Sequence, residues 1–426
     1  MSIVTTEDIL QKAQALDAQD ELKNFRNKFY LPEDDKGHPL LYFCGNSLGL
    51  QPKIAADYVQ QELEDWKKLG VKGHTDARNP WMPYHEFLTD SMAKIVGAKP
   101  QEVVMMNTLS VNLHLMMVSF YQPDAKRYKI LIEQDAFPSD RYAVESQLKF
   151  HDINPSDGLV LWKPESETGY YTKESFEQIM DEQGDEIALV MIGCPNYYSG
   201  QAFDLNHIVQ KSKAKGCQVG FDLAHGAGNI QPNLHQVEAD FAVWCSYKYL
   251  NSGPGSVAGC FVHEKHIAKT DIKRFTGWWG HQESTRFKMP NDFQPIPTAE
   301  GWQLSNPPVL SMAAIRASLQ VFEDAGFENL RKKSIKQSNF LMEQLDLIPD
   351  DQVSYITPKS EAEKGCQVSI RVKNADKKLF DNLSAKNLVA DWREPDVIRI
   401  APTPLYNTFE EIYHFIELLK TEINAE

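Results

Sequence analysis

The chain has 426 residues, of which 42% are hydrophobic and 24% are charged, and its formal net charge is −15. This length can bury a large core and predicts more than one domain, in a protein of ordinary globular composition. The negative charge argues against nucleic acid or a membrane surface as a partner, because both need positive patches. We also expect no membrane span and no signal peptide, since no apolar stretch has the required length or flanking pattern.

The six cysteines are scattered along the chain and form no Cys-x-x-Cys pair. This spacing argues against a metal site and against a disulfide framework. We therefore predict that no metal is bound and that the protein works in a reducing, cytoplasmic compartment.

The first part of the sequence predicts helices that are separated by polar loops. Residues 6–30 and 53–69 have helical patterns. The glycine-rich segment 44–49 between them could contact a substrate or could only connect two elements. A later loop contains His74, which taken alone is most simply a hydrogen-bonded loop histidine.

From about residue 90 short apolar strands alternate with helices, which predicts a mostly parallel sheet covered by helices. The strands are predicted at residues 103–106, 128–132, 159–162, 187–192, 217–222 and 241–244. Ligands of such sheets bind beyond the carboxyl ends of the strands, where Ser110, Phe137, Asp222 and Lys248 are expected. The helix that begins near Ser110 has either an anion site or an ordinary Ser/Thr cap at its N-terminus.

A lysine follows the predicted strand 241–244, just before a glycine-rich turn at 251–255. Lys248 lies between Tyr247 and Tyr249. Burial favours the neutral, nucleophilic form of an amine, which can form a Schiff base with an aldehyde. The alternative is a lysine at a strand end that extends its amine to solvent.

A second polar residue, Asp222, ends an apolar strand and precedes His225 and two glycines. A carboxylate in this place can cap the following helix. Together with Lys248 it can also serve a pyridine aldehyde, because the carboxylate keeps the ring nitrogen protonated while the lysine binds the aldehyde. The glycines after His225 let the backbone pass close to a ligand.

The last part of the sequence begins with a loop-rich segment and continues as a smaller α+β pattern. Residues 277–308 are rich in tryptophan, histidine and arginine, and so long a loop is usually functional. A helical segment at 310–347 precedes alternating strands and helices, which predict a small C-terminal domain. Arg399 interrupts an apolar strand there and needs an anionic partner, either a substrate carboxylate or an internal one.

Taken together, these residues resemble the kynureninase family, whose members are fold-type-I enzymes that depend on pyridoxal 5′-phosphate (PLP). The resemblance covers nearly the whole chain and rests on short motifs at residues 43–50 (FCGNSLGL), 111–115 (VNLHL), 136–140 (AFPSD), 220–225 (GFDLAH), 244–251 (WCSYKYLN), 280–281 (GH) and 305–308 (SNPP). It implies an α/β, fold-type-I PLP-dependent transferase fold, with a large domain of mostly parallel sheet and a small C-terminal α+β domain. We expect residues 1–60 to contribute to the small domain, 61–315 to form the PLP-binding domain and 316–426 to form the small domain.

The resemblance also implies a role for each matching residue. Lys248 binds PLP and is expected to be catalytic, and Tyr247 is implied to contact the cofactor near its phosphate group. We additionally hypothesise that Tyr247 donates a proton in the later half of the reaction. The other implied cofactor residues are Leu109, Ser110, Phe137, Pro138, Ser139, Asp140, Asp222 and His225, with Trp278 and Asn306 supplied by the second subunit of a homodimer. The implied substrate residues are Arg399, His74, Ser305 and Asn306. Gly193 departs from the pattern, because relatives can carry a serine there.

The implied reaction is the hydrolysis of a carbon–carbon bond in L-kynurenine or 3-hydroxy-L-kynurenine, which yields anthranilate or 3-hydroxyanthranilate and L-alanine. Such a reaction serves tryptophan catabolism or the synthesis of nicotinamide cofactors. The combination of His74 with Ser305 and Asn306 resembles the form of the family that favours the 3-hydroxylated substrate, since a ring hydroxyl needs polar partners.

Three other interpretations are open to the sequence. A cysteine desulfurase-like lyase shares the fold but needs a nucleophilic cysteine on a mobile loop, whereas Cys366 opens an apparent strand. The G-x-G-x-x-A match at 253–258, typical of dinucleotide-binding enzymes, leads into a strand and not into a helix. A non-catalytic binding protein of the PLP fold would be expected to lack Lys248 or Asp222, and both are present.

Overall fold

The computed structural model describes residues 5–165, 169–269, 271–373 and 376–425. The helices are α1 Thr6–Ala18, α2 Ala55–Leu69, α3 Gly73–Asp76, α4 Glu86–Val96, α5 Leu109–Phe120, α6 Pro138–Phe150, α7 Pro155–Gly158, α8 Lys173–Gln183, α9 Leu205–Ala214, α10 Leu234–Val237, α11 Glu264–Ile267, α12 Glu283–Arg286, α13 Val309–Ala325, α14 Phe327–Leu345, α15 Lys377–Ala385 and α16 Phe409–Ala425. The strands are β1 Leu41–Tyr42, β2 Val103–Met105, β3 Lys129–Glu133, β4 Leu159–Trp162, β5 Ile187–Gly193, β6 Gln218–Asp222, β7 Phe241–Trp244, β8 Gly259–Val262, β9 Val353–Tyr355, β10 Val368–Val372, β11 Leu388–Val389, β12 Asp391–Arg393 and β13 Val397–Ile400. Short 3₁₀ helices lie at Lys23–Lys28, Gly70–Lys72, Pro100–Glu102, Trp278–Gly280, Ala299–Trp302 and Glu361–Glu363.

The chain forms two compact units. The larger unit contains Ala55–Tyr197 and Phe203–Leu319, and the smaller unit contains Met1–Ile54, Tyr198–Ala202 and Gln320–Glu426. The domain boundaries that the sequence predicts at residues 60 and 315 stay a proposal. Within the described ranges, no helix is long and apolar enough to cross a membrane.

The larger unit is built on a seven-stranded sheet in the order β2-β8-β7-β6-β5-β3-β4. Strands β7, β6, β5, β3 and β4 run parallel to one another. Strand β8 is antiparallel to both of its neighbours, β2 and β7. The predicted mostly parallel sheet is therefore confirmed, and the carboxyl ends of β3, β5, β6 and β7 lie at one edge.

The centre of this sheet is apolar because it is covered on both faces. In β5, the residues from Ile187 to Ile192 are all buried, which is typical of a central parallel strand. Side chains of the sheet and of α5 and α6 form one hydrophobic core, with Phe120 stacked on Phe241 at a ring-centroid distance of 5.2 Å. This core holds the strand ends in a fixed register.

That register brings polar residues of different strands side by side. Gly193, the last residue of β5, is the partner of Asp222, the last residue of β6. Asp222 in turn is the partner of Val243 in β7. Residues that are far apart in the sequence therefore meet at the carboxyl edge of the sheet.

The smaller unit has an α+β fold, as predicted. A four-stranded antiparallel sheet has the order β12-β13-β10-β9, and β1 pairs with β11 in a separate parallel pair. Helices α1, α14, α15 and α16 contribute to a core that includes Ile9, Phe340, Leu383 and Phe415. In the sheet, Arg399 of β13 lies between Ser369 of β10 and Asp391 of β12.

Two predicted helices differ from the observed ones. The helix predicted over residues 6–30 is α1 alone, followed by a 3₁₀ helix, because the Asp20 carboxylate accepts the N–H of Leu22 at 2.9 Å and forms a turn. The segment predicted as one helix over 310–347 is divided into α13 and α14 at Gly326. That residue has φ +74°, which glycine adopts without steric cost.

Candidate active site

A cavity lies at the carboxyl ends of the parallel strands of the larger unit. Its walls come from the ends of β3, β5 and β6, from the first turns of α5 and α6, and from the segment after β7. The predicted cofactor residues that line it are Leu109, Ser110, Phe137, Ser139, Asp140, Asp222, His225, Tyr247 and Lys248. The other lining residues are Glu133, Gly193, Pro195, Tyr197 and Ala224. The sheet thus brings together most of the residues that the sequence predicted for a cofactor.

The amine of Lys248 lies between an imidazole and an aromatic ring. Its Nζ atom is 3.1 Å from Nε2 of His225 and 5.8 Å from the ring centroid of Phe137. The side chain is half-buried, so the amine is not simply extended into solvent. Phe137 itself is 42% exposed and packs edge-on against Tyr197, which leaves its ring accessible at the cavity.

Two buried carboxyl groups, those of Asp222 and Asp140, lie in the same cavity and are hydrogen-bonded to each other. Burial raises the pKa of Asp222, although the N–H of Ala224, the hydrogen bond with Asp140 and the charge of Lys248 act in the opposite direction. Burial and the negative charge of Asp222 raise the pKa of Asp140 well above its usual value. Burial and mutual repulsion therefore favour a protonated carboxyl group in this pair, most strongly at Asp140.

Another part of the cavity, where two helices begin, is suited to bind an anion. Ser110 lies in the first turn of α5 and Ser139 in the first turn of α6, and their hydroxyl oxygens are 2.9 Å apart. Pro138 is the first residue of α6, a position where proline fits because no intrahelical N–H bond is lost. Two helix N-termini with hydroxyl side chains form a site suited to an anion such as a phosphate group.

Tyr247 keeps its proton at neutral pH. Burial is the main cause that raises its pKa, and the neighbouring thiol of Cys245 raises it further. Burial also raises the pKa of Cys245 to about 11, so that thiol stays neutral. The phenol is therefore available as a proton donor in the cavity wall.

Several predicted site residues lie elsewhere in the larger unit. His74 and Asn306 line a second cavity, where the His74 ring packs edge-on against Trp81 at 5.6 Å, and Ser305 is exposed beside Asn306. Trp278 borders a third cavity and donates its indole N–H to the backbone oxygen of Arg286 at 3.2 Å. The roles predicted for His74, Ser305, Asn306 and Trp278 thus stay predictions.

Arg399 belongs to the smaller unit and has an internal anionic partner. It is 1% exposed, and its guanidinium group forms an ion pair with the carboxylate of Asp391. The same carboxylate also pairs with Arg393 at 3.0 Å. The internal partner that the sequence left open is therefore present, while a contact with a substrate carboxylate stays a prediction.

Some residues of the cavity were not predicted. Glu133 ends the apolar strand β3 in the same way as Asp222 ends β6, so the same signal could have found it. Its carboxyl oxygens accept the N–H of Gly193 at 3.1 and 3.2 Å. Pro195 and Tyr197 follow β5 and gave no comparable signal, because proline and tyrosine are ordinary loop residues.

Known proteins that are similar in sequence identify the family. The family description "Kynureninase C-terminal domain" matches residues 330–419. A kynureninase from Myxococcus xanthus is 51% identical over 415 residues, which cover 97% of each chain. Another from Stenotrophomonas maltophilia is 49% identical over 96% of this chain and 98% of that protein. The chain belongs to the kynureninase family. Membership confirms the predicted class, a PLP-dependent hydrolase that acts on carbon–carbon bonds.

Solved structures with a similar fold confirm the predicted fold class. The cystine C–S lyase C-DES, in a variant with glycine covalently linked to its PLP cofactor, has a TM-score of 0.77 and 16% identity, and the match covers 89% of this chain and 96% of that one. The cysteine desulfurase CsdA from Escherichia coli has a TM-score of 0.75 and 12% identity, with 95% and 99% covered. These identities show the fold alone. The desulfurase interpretation is not supported by the site either, because Cys366 is 1% exposed.

The residues of the first cavity fit PLP. Lys248 has an amine of the kind that an aldehyde requires, and the carboxyl groups of Asp140 and Asp222 are of the kind that suits a protonated ring nitrogen. The accessible ring of Phe137 offers an aromatic face, and the hydroxyl groups of Ser110 and Ser139 lie together at two helix N-termini. The aldehyde, the ring nitrogen and the phosphate group of the cofactor thus each meet a group of matching chemistry.

Proposed function

We propose that this enzyme hydrolyses L-kynurenine and 3-hydroxy-L-kynurenine to anthranilate or 3-hydroxyanthranilate and L-alanine. The observation that carries the proposal is the amine of Lys248, which shares one cavity with the Asp140–Asp222 pair, the ring of Phe137 and the imidazole of His225. PLP, when bound, supplies an electron sink that stabilises negative charge on the substrate carbons next to the bond that breaks.

Each polar residue of the cavity has its own part in binding, orienting or moving a proton. Lys248 Nζ would hold the cofactor through its aldehyde and, once the substrate amine has replaced it there, the freed amine would take the proton from the substrate Cα. His225 Nε2 lies 3.1 Å from this amine and would orient it. Asp222 holds a proton at the ring nitrogen, and Asp140 fixes the Asp222 carboxylate by the hydrogen bond between them. Tyr247 donates a proton from its hydroxyl oxygen in the later part of the reaction.

The remaining residues of the cavity bind and orient the cofactor. Ser110 and Ser139 bind the phosphate group together with the amide groups of the first helical turns. Leu109 and Pro138 shape those turns, and Phe137 packs on the face of the pyridine ring.

A chemical test of the cofactor site uses reduction with borohydride. We expect reduction of the holoenzyme to fix a pyridoxyl group on the peptide that contains Lys248, and mass spectrometry of a digest identifies that peptide. A control in which Lys211, an exposed lysine, is changed to alanine should give the same modified peptide. A pyridoxyl group on a different lysine, or on none, would contradict the proposed site.

Residues outside this cavity bind the substrate as well. Arg399 binds the substrate α-carboxylate, and its five N–H donors allow it to keep Asp391 as a second partner. His74, Ser305 and Asn306 bind the aromatic end and offer hydrogen bonds to a ring hydroxyl group. We therefore expect 3-hydroxykynurenine to be the preferred substrate.

This preference is measured as the ratio of kcat/KM for 3-hydroxykynurenine to that for kynurenine. The ratio should exceed 1 in the wild type and fall by about tenfold in His74→Phe, because one polar partner of a hydroxyl group is worth about 1–1.5 kcal/mol. Turnover of kynurenine that equals or exceeds that of the hydroxylated substrate would refute the preference.

We further infer a homodimer with shared active sites in the cytoplasm, in tryptophan catabolism or in the synthesis of nicotinamide cofactors. The position of Trp278 and Asn306 supports the dimer, because they line other cavities than the one that contains Lys248. The six cysteines, all of which are free thiols, support a reducing compartment.

A further inference from the structure

Glu133 is a buried carboxyl group in the cavity wall that the proposed chemistry does not use. It ends β3, is 2% exposed and lines the cavity together with Asp140 and Asp222. Both of its carboxyl oxygens face the backbone N–H of Gly193, the last residue of β5, at 3.1 and 3.2 Å. Three carboxyl groups thus share a cavity whose lining contains one lysine, Lys248.

Acidic and neutral groups lie around Glu133. The described residues that interact with it electrostatically include the carboxyl groups of Asp222, Asp135 and Asp140, and the neutral side chains of Tyr171 and Cys194. Burial raises the pKa of Glu133, the backbone N–H groups of Glu133 and Gly193 lower it, and the charges of Asp222 and Asp135 raise it again, to about 8. The carboxyl group is therefore mostly protonated at neutral pH.

The position of this carboxyl group is tied to the neighbouring strands. A Cβ atom at position 193 would lie 2.8 Å from Oε1 of Glu133, so the carboxyl group occupies the space that the absence of a side chain leaves. Gly193 is also the strand partner of Asp222. Glu133 therefore contacts the residue of β5 that pairs with Asp222.

We propose that Glu133 is a positioning residue of the cofactor cavity, whose buried carboxyl group accepts the N–H of Gly193 and holds the end of β5 beside Asp222. A protonated Glu133 would leave the negative charge of this carboxyl cluster to Asp140 and Asp222, which line the same cavity as the amine of Lys248. The inference rests on the proposed function only in taking this cavity as the cofactor site. It assigns no step of the reaction to Glu133.

Isotope-edited infrared spectroscopy of the holoenzyme measures this protonation state directly. Labelling of all glutamates with carbon-13 shifts the C=O band of a glutamic acid but not that of an aspartic acid, so the Asp140–Asp222 proton does not interfere. We expect a label-sensitive carboxylic acid band at pH 7 that disappears as the pH is raised through about 8. The band should be absent from Glu133→Gln.

The matched control is Glu102→Gln. Glu102 is equally buried, but it accepts the N–H groups of Lys99 and Glu264 and pairs with His235 at 3.0 Å. The band should remain in this variant. Absence of a label-sensitive band at pH 7 in the wild type, or its persistence in Glu133→Gln, would overturn the proposal.

Gly193→Ala provides a second test if Glu133→Gln does not fold. The added methyl group meets Oε1 of Glu133, so the band should change in frequency and its titration should move to a different pH. A band identical to that of the wild type would overturn the positioning role. Because substrate is not used in either measurement, a failure to hydrolyse kynurenine would leave these results interpretable, and the two ideas can fail separately.

Discussion

At the scale of single residues, several side chains of the cavity have higher pKa values than the same side chains have in water. Burial raises the pKa values of Asp222, Asp140 and Tyr247, and each of these groups has a different neighbour that modifies the effect. Lys248 lies among them, 3.1 Å from His225. The sequence supplies the residue types, but the distances that define their chemistry exist only after the strand ends have met.

Tyr247→Phe tests whether the phenol acts as a proton donor. We expect kcat to fall about 100-fold or more, because a positioned acid contributes on the order of 10² to 10⁴ in rate. PLP content and the melting temperature should change little, since the ring is kept. Steady-state turnover of kynurenine is the measurement, with Tyr142→Phe, an exposed tyrosine, as the control. A Tyr247→Phe enzyme with wild-type turnover would remove this role.

At the scale of elements, one buried carboxylate joins several helices and strands of the larger unit. Asp240 is fully buried and accepts the N–H of Val219 in β6 at 2.6 Å and a hydrogen bond from His266 in α11 at 2.7 Å. It also forms ion pairs with Lys213 of α9 and Lys265 of α11. Burial acts to raise its pKa, but these partners outweigh burial and lower the pKa to about 2.

The pH dependence of this contribution has a defined sign. Because the folded-state pKa is lower than the ordinary value of 3.8, the carboxylate stabilises the fold above that value, and the contribution is lost as the pH falls toward 2. Asp240→Asn should therefore lower the free energy of unfolding by about 2 kcal/mol at pH 7.

Urea denaturation between pH 7 and pH 3 measures this difference. The difference in free energy of unfolding between the wild type and Asp240→Asn should become smaller toward pH 3, because the wild-type carboxylate becomes protonated there. Asp181→Asn is the control, because Asp181 lies in an exposed pair with Lys215 and should have no measurable effect. A gap that is constant over this pH range would contradict the assignment.

The elements also show what the sequence could predict. The parallel sheet followed from apolar runs such as Ile187–Gly193, because a strand covered on both faces must be hydrophobic throughout. Glycine-rich and polar segments at strand ends pointed to Asp222 and Lys248, which line one cavity in the structure, while their roles stay predictions. The side-chain turn at Asp20 and the helix break at Gly326 were missed, because helical periodicity continues through both.

Contacts between distant segments could not be predicted in this way. The edge-on packing of His74 on Trp81 depends on a loop that has no periodic pattern. The pairing of Arg399 with Asp391 depends on the register of β12 with β13, which the sequence does not specify. Glu133 was missed although its signal was present, since a charged residue at the end of an apolar strand has several explanations.

At the scale of the whole molecule, the main question is whether two chains complete each active site. Lys248 and Asp222 line one cavity, whereas Trp278 borders another in the same unit. If Trp278 contacts the cofactor that is bound by the partner subunit, a chain that lacks Lys248 and a chain that lacks Trp278 can together form one intact active site. Residues of one cavity cannot complement one another in this way.

Subunit complementation makes this a quantitative prediction. Lys248→Ala and Trp278→Ala chains, inactive alone, should regain about a quarter of the wild-type active sites after unfolding and refolding as an equal mixture, because half of the dimers are mixed and each has one intact site. A mixture of Lys248→Ala with Asp222→Ala is the control and should stay inactive. Failure of the first mixture to regain activity would contradict the shared site.

If Lys248 and its neighbours support the hydrolysis of kynurenine, the most direct measurement follows the products. Purified holoenzyme should convert kynurenine to anthranilate, detected by its fluorescence, and to alanine in equal amounts. Lys248→Ala should form neither product, while Lys211→Ala should behave as the wild type. Product formation by Lys248→Ala at the wild-type rate, or no anthranilate from a PLP-loaded wild type, would contradict the account.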